Sequence, residues 1–214
     1  STDLNRNNWQ HLDPINDSVP GMSVDKAYKE LIKDAEGQTV VVAVLDTGID
    51  IKHEDLKGKI WTNKKEIPGN NIDDDKNGFV DDVYGWNFLG EAYYEQLELT
   101  RLLGKGEDFP EKEDAQKDYD KRLAEARGEE TLKYYLNYDF KGRTTGDDPD
   151  NFEQTYYGDN KVEHSREDES HGTHVAGIIA AARNNNLGMK GVANNVEIMT
   201  LRVVPYGDEY DKDV

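Results

Sequence analysis

An α/β fold built on a parallel sheet is predicted by three stretches of the chain. These are the β-branched run TVVVAVL (Thr39 to Leu45), the helix-length apolar segment HGTHVAGIIAAA, and the strand-like run VEIMTLRVV from Val196 to Val204. A strand without polar/apolar alternation reads as buried on both faces, as in the parallel sheets of α/β proteins. A segment apolar around most of its circumference reads as a helix inside a fold. Strand, helix and strand in that order make a βαβ unit, with roughly 75 residues inserted ahead of the helix.

The elements divide the chain into four parts. Residues 1–38 form an amino-terminal extension, polar and turn-rich up to residue 22. It ends in a short amphipathic helix over SVDKAYKELIKDAEG, where Ser23 is placed to cap, Ala27, Tyr28, Leu31 and Ile32 share an apolar face, and Gly37 stops the helix. Residues 39–88 hold the first strand, the acidic loop NNIDDDKNGFVDD and a short strand candidate, VYGWNF. Residues 89–167 are dense in Glu, Asp, Lys and Tyr; their first two-thirds favour helix and the part around TTGDDPDNF favours loop. Residues 168–214 carry the apolar helix and the second long strand, joined by NNNLGMKGVANN.

Composition narrows the function. A formal net charge of −19 argues against nucleic acid or an anionic membrane as partner, because both would be repelled, and it favours divalent cations. There is no cysteine, which removes disulfides, thiolate metal sites and a thiol nucleophile. The longest apolar run falls far short of the roughly 20 residues of a membrane span. The opening, STDLNRNNWQ, is polar and does not read as a signal peptide, so the start is expected to be processed or trimmed.

The first strand ends in Asp46-Thr47-Gly48, a tripeptide that serves two unrelated chemistries. An aspartic protease needs two such aspartates sharing a proton, but no second Asp-Thr/Ser-Gly is present and the surroundings are not all β. The other reading puts Asp46 at the carboxyl end of a parallel strand, where α/β folds build sites, facing His171 in SHGTHVAGIIAA. Together, VAVLDTGIDIKHEDL and HGTHVAGIIAA resemble the subtilisin-like serine proteases (subtilases), over residues 38–88 and 168–206.

The resemblance implies a subtilisin-like parallel-sheet core, incomplete here and carrying a large, mainly helical insertion. It implies an Asp-His-Ser triad in which Asp46 orients and His171 acts as the base. Gly172 then serves close backbone approach, Thr173 a polar contact, and His174 a structural place in the helix. The family pattern continues with an oxyanion-hole asparagine and a Gly-Thr-Ser-Met-Ala-like nucleophile segment. Neither is found here, and Ser18, Ser23, Ser165 and Ser170 do not stand in that context. The expectation is therefore a serine endopeptidase acting on proteins or peptides, secreted, periplasmic or on the cell surface. This chain is expected to be inactive until joined by the remaining carboxyl-terminal half of the catalytic domain.

Two further sites are expected. The segment after the second strand, Tyr206, Gly207, Asp208, Glu209 and Tyr210, falls where the family pairs with extended substrate; Tyr210 would form an apolar wall, and Asp208 and Glu209 would favour basic side chains. In the acidic loop, Asp73, Asp75 and Asn77 alternate ahead of Gly78, matching the first half of an EF-hand calcium loop. The position of the bidentate acid is Tyr84, so Asp81 or Asp82 would have to substitute. Structural calcium is thus the expected cofactor, with Asp73, Asp75, Asn77, Asp81 and Asp82 as candidate ligands. The insertion is either a gating or exosite element over the cleft or a helical decoration. Two rival readings stay open: a pseudoprotease or calcium-stabilised binding module, and a metallohydrolase using His171, His174 and nearby acids such as Asp168 and Glu169.

Overall fold

The computed structural model describes residues 7–35, 37–163 and 169–214. Three parallel strands form the sheet: β1 (Val40–Asp46), β2 (Gly85–Asn87) and β3 (Val196–Arg202), in the order β1-β3-β2. The register runs from Val40 opposite Val196 to Asp46 opposite Arg202, and Gly85 to Asn87 lie opposite Thr200 to Arg202. The short strand expected in VYGWNF is β2. Gly85 is required there because an added Cβ would stand 1.9 Å from the Thr200 carbonyl oxygen, at a φ of +123°.

The helices are α1 (Val24–Ala27), which runs on into a π turn at Tyr28–Ile32, α2 (Glu98–Lys105), α3 (Lys112–Glu125) and α4 (His171–Ala180). A second π turn spans Thr131–Tyr135. Helix α4 packs on β1 and β3 and closes the βαβ unit. The core between them is small: Val44, Ile49, Leu56, Ala176, Ala180 and Ile198.

Three expectations change. Strand β1 is covered on one face only: Val44 and Asp46 are buried, while Val40, Val41, Ala43 and Leu45 are exposed. The unalternated run reflects what the strand is suited to bury, and among the described residues nothing packs over that second face. Helix α4 likewise buries one stripe, Gly172, Ala176 and Ala180, and leaves His174 and Ile178 outside. At the amino-terminal helix, Ser23 is not a side-chain cap; its φ is +59° and its hydroxyl donates to Asp13 at 2.8 Å. The helix stops at Lys33, before Gly37, and Leu31 is exposed, so the expected apolar face is only partly used.

The insertion is helical first and loop-like afterwards, as its propensities suggest. Helix α3 is dressed with exposed ion pairs such as Lys117–Asp114 and Arg122–Asp118, each worth a few tenths of a kcal/mol. Its attachment to the core is of a different kind. The Arg143 guanidinium binds Asp147 at 3.0 Å and reaches both carboxylate oxygens of Asp213 at 2.7 Å. Lys212 donates to Asp147 and the Tyr157 hydroxyl to Asp213, each at 2.8 Å. Burial would raise the Asp147 carboxyl, but the hydrogen bonds from Arg143, Lys212 and Thr145 outweigh it and hold it well below the ordinary range. Tyr156 packs on Phe79 across the seam, and Tyr94 stacks on Tyr134 at 4.0 Å between centroids inside the insertion.

Removing one partner of a buried ionic network leaves the others uncompensated. Arg143→Ala should cost about 3–5 kcal/mol of unfolding free energy by urea denaturation, and a double Arg143→Met, Asp213→Leu variant should recover much of it. A loss below about 1 kcal/mol for Arg143→Ala would show that the network is solvated and of little account.

Candidate active site

The carboxyl end of β1 and the amino end of α4 meet. Asp46 is the last residue of β1, its backbone carbonyl held by the Val203 and Val204 amides at 2.9 and 3.2 Å. Its side chain is nearly buried, and its carboxylate accepts the Thr47 amide at 2.7 Å. Gly48 turns the chain away at a φ of +105°, a conformation costly for any residue with a Cβ. His171 opens α4, and its ring, 72% exposed, places Nδ1 at 2.8 and 2.9 Å from the two Asp46 oxygens.

The meeting depends on backbone proximity. An added Cβ at Gly172 would lie 2.2 Å from the Gly48 carbonyl oxygen and 3.3 Å from the Asp46 Cβ. The Gly172 amide donates to Thr47 Oγ1 at 3.3 Å, and the Asp50 amide donates to Thr173 Oγ1 at 2.9 Å. Each residue of the His-Gly-Thr triplet thus has a task at the junction. The notch between loop and helix is closed from the insertion side, where the Ile49 amide donates to the Val162 carbonyl at 3.3 Å.

The electrostatics follow from the pairing. An ionised carboxylate only accepts, so Nδ1 carries the proton and the neutral ring leaves Nε2 unprotonated. The hydrogen bond to Asp46, followed by its charge and that of Glu169, raises the His171 pKa above its ordinary value. The stability this pairing contributes is present below the unfolded pKa near 6.5 and is lost as pH rises through the raised folded value. The sequence pattern offers Glu169 only as a metal neighbour. In the structure its Oε1 accepts the His171 amide and the Thr47 hydroxyl, both at 2.9 Å.

Of the five substrate-segment residues, four lie against the insertion, Asp208 and Tyr210 through their side chains. Asp208 Oδ2 accepts the Glu98 amide at 2.8 Å and so caps the first turn of α2. Tyr210 lies under the guanidinium groups of Arg101 and Arg143 at 5.3 and 5.1 Å, and burial pushes its hydroxyl up to about 12. These two side chains are held by their own fold, because α2 needs an amide acceptor and the two cations need an aromatic face. Tyr206 bridges in parallel to Tyr94, its amide bound to the Tyr93 carbonyl and its carbonyl to the Glu95 amide, both at 2.7 Å. Gly207 sits against the Glu95 carbonyl, where a Cβ would approach to 2.2 Å, and Glu209 is exposed.

The acidic loop is drawn together differently from its sequence pattern. Ligand oxygens of Asp73, Asp75 and Glu66 lie within 4.8 Å of one another. Asp81 instead receives the Gly69 and Asn71 amides at 2.8 Å, and Asp82 receives the side-chain amides of Asn63 and Asn77 at 2.8 and 2.9 Å. The Asn77 oxygen accepts the Phe79 amide. Burial, with the nearby charges of Asp75 and Asp73 adding to it, raises the Asp82 carboxyl. Glu66 was not among the sequence candidates. The signal available was an acid seven residues before Asp73, just outside the alternating pattern. This is the only group of three histidines or acids placed for a metal among the described residues, and it does not include His171 or His174. Asp168, His164 and Ser165 lie outside the described residues.

The fold is thus that of a parallel-sheet α/β protein in which a strand-end carboxylate and a helix-start histidine form a pair. The model of the Subtilase family matches residues 37–213, and the chain belongs to that family of peptidases. It is similar to "Subtilisin-like protease 1" of Plasmodium falciparum (isolate 3D7), 27% identical over 177 residues that make up 82% of this chain and 16% of the relative. The protein of that name from Plasmodium berghei (strain Anka) is 43% identical over 65 residues, 30% of this chain and 11% of the relative. The "Major intracellular serine protease" of Bacillus subtilis (strain 168) is 39% identical over 83 residues, 39% of this chain and 24% of the relative. The chain thus spans between 11% and 24% of the length of these relatives. Among the described residues no helix is long and apolar enough to cross a membrane.

In a titration followed by NMR, the His171 ring should have a pKa above that of an ordinary histidine, and Asp46→Asn should bring it down. Equal values in the two proteins would mean that the Asp46–His171 contact does not form in solution.

Proposed function

We propose that this chain supplies the general base and its orienting carboxylate to a serine endopeptidase. The observation that carries the reading is the two-oxygen seat of His171 Nδ1 on Asp46, with the ring otherwise exposed. In this reading Nε2 takes the proton of a serine hydroxyl as it attacks the scissile carbonyl, and later gives it to the leaving amine. Asp46 keeps the ring in the required tautomer and stabilises the imidazolium. The serine would come from a segment other than those described, since among the described residues the His171 ring bonds only to Asp46. The open second face of β1 supports this, because Val41, Ala43 and Leu45 suit a packing partner such as the rest of a catalytic domain.

An extended substrate would pair with the backbone of Gly207, because both backbone groups of Tyr206 are taken by Tyr93 and Glu95. Specificity for basic side chains then rests on Glu209 alone of the two acids expected for it, since Asp208 caps α2. The insertion reads as a brace for this segment, as Tyr94, Arg101 and Arg143 all touch it.

Calcium fits the acidic loop. Glu66, Asp73 and Asp75 would hold it, and the ion would neutralise carboxylates that otherwise repel. Its chemistry is structural: it would fix the loop that leads into β2. A parent acting outside the cytoplasm, where free calcium is abundant, accords with this.

The chain alone should not turn over a chromogenic peptide, whereas the longer parent should, and His171→Ala in that parent should lower kcat by about 10⁴-fold or more. Turnover by the isolated chain that His171→Ala abolishes would overturn the missing-serine reading. Adding millimolar calcium should raise the Tm by several degrees, and Asp73→Asn with Glu66→Gln should remove the rise. An unchanged Tm, with no heat in a calorimetric titration, would dismiss calcium.

A further inference from the structure

We propose that Glu169 is a positioning residue for this site: its carboxylate ties Thr47, in the loop after β1, to the first turn of α4 and sets a second negative charge beside the His171 imidazole. The proposal rests on the reading of Asp46 and His171 given above. One oxygen, Oε1, accepts both the Thr47 hydroxyl and the His171 amide at 2.9 Å. Thr47 Oγ1 in turn accepts the Gly172 amide at 3.3 Å. Glu169 is therefore the knot between the residue that follows the orienting aspartate and the residue that carries the base.

The arrangement answers a local need. An α-helix leaves its first four amides without intrahelical partners, and the N-cap residue of α4, Ser170, makes no side-chain cap bond. Glu169 takes over that task for His171, and a negative charge at a helix start is favoured by the helix dipole. Burial alone would raise the Glu169 carboxyl, but hydrogen bonds from the His171 amide, Tyr206 and Thr47 outweigh it and keep it below its ordinary value. It is thus a carboxylate at neutral pH.

Among the described residues, the charged and titratable groups around the pair are few. Asp46 on β1 and Glu169 ahead of α4 face the imidazole, and both raise its pKa. On the Glu169 side stand Tyr206, Tyr93 and the buried Arg202 of β3, which senses the Glu169 charge. The two Nη atoms of Arg202 bond the Asn87 side chain and the Gly90 and Ala92 carbonyls; among the described residues its Nε has no hydrogen-bond partner and no ion pair joins it to Glu169.

Two substitutions in the full parent protein separate placement from charge. Glu169→Gln retains an oxygen that accepts both hydrogen bonds but removes the charge. Its Tm should stay at the wild-type value, while the acid limb of kcat/KM moves to lower pH because the base is easier to deprotonate. Glu169→Ala removes the bonds from Thr47 and the His171 amide, and its plateau kcat should fall about tenfold or more, since the base is displaced. An acid limb that does not move in Glu169→Gln overturns the proposal, as does a wild-type plateau in Glu169→Ala. If Glu169→Ala fails to fold, the Glu169→Gln profile decides alone. His171→Ala run alongside distinguishes the failures: retained activity there sinks the reading of the site itself, whereas lost activity with unresponsive Glu169 variants sinks only Glu169.

Discussion

The site depends on a backbone distance. Asp46 can receive the His171 ring with both oxygens only because the start of α4 lies directly against the loop that leaves β1. The absence of a side chain at Gly172 permits that approach, with the Gly48 carbonyl where a Cβ would stand. Parallel strands end on one side of the sheet and the following helices begin there, so strand-end carboxylate and helix-start histidine are brought together by topology before any side chain is chosen. Thr47, Thr173 and Glu169 then fasten the junction with hydrogen bonds.

Asp46, His171 and the three strands were legible because each is written in a short local pattern: a β-branched run, a tripeptide after it, and a histidine at the head of an apolar helix. What local pattern cannot carry is the identity of the neighbour. The run in β1 says that two faces suit burial, and the structure covers one. Ser23 has the composition of a cap, yet Asp13, ten residues earlier, takes its hydroxyl. Glu66 and Glu169 were missed for the same reason: their roles arise from loop closure, which brings Glu66 to Asp73 and Glu169 to Thr47, 122 residues away.

The insertion shows how a surface element can become part of a site without touching the reacting atoms. Its helices are cheaply held, by exposed pairs and stacked tyrosines, but its seam with residues 206–213 is buried, ionic and geometrically demanding. Helix α2 is capped by Asp208 from the segment that follows β3, so the insertion and the candidate substrate edge complete one another.

The uncovered face of β1 has a further consequence. An outer strand with apolar side chains and unpaired backbone groups is a template for another copy of itself. Val40, Val41 and Leu45 offer that template here, and the net charge of −19 would oppose such pairing. That opposition would weaken with added salt, and it would cease to matter once the face is packed.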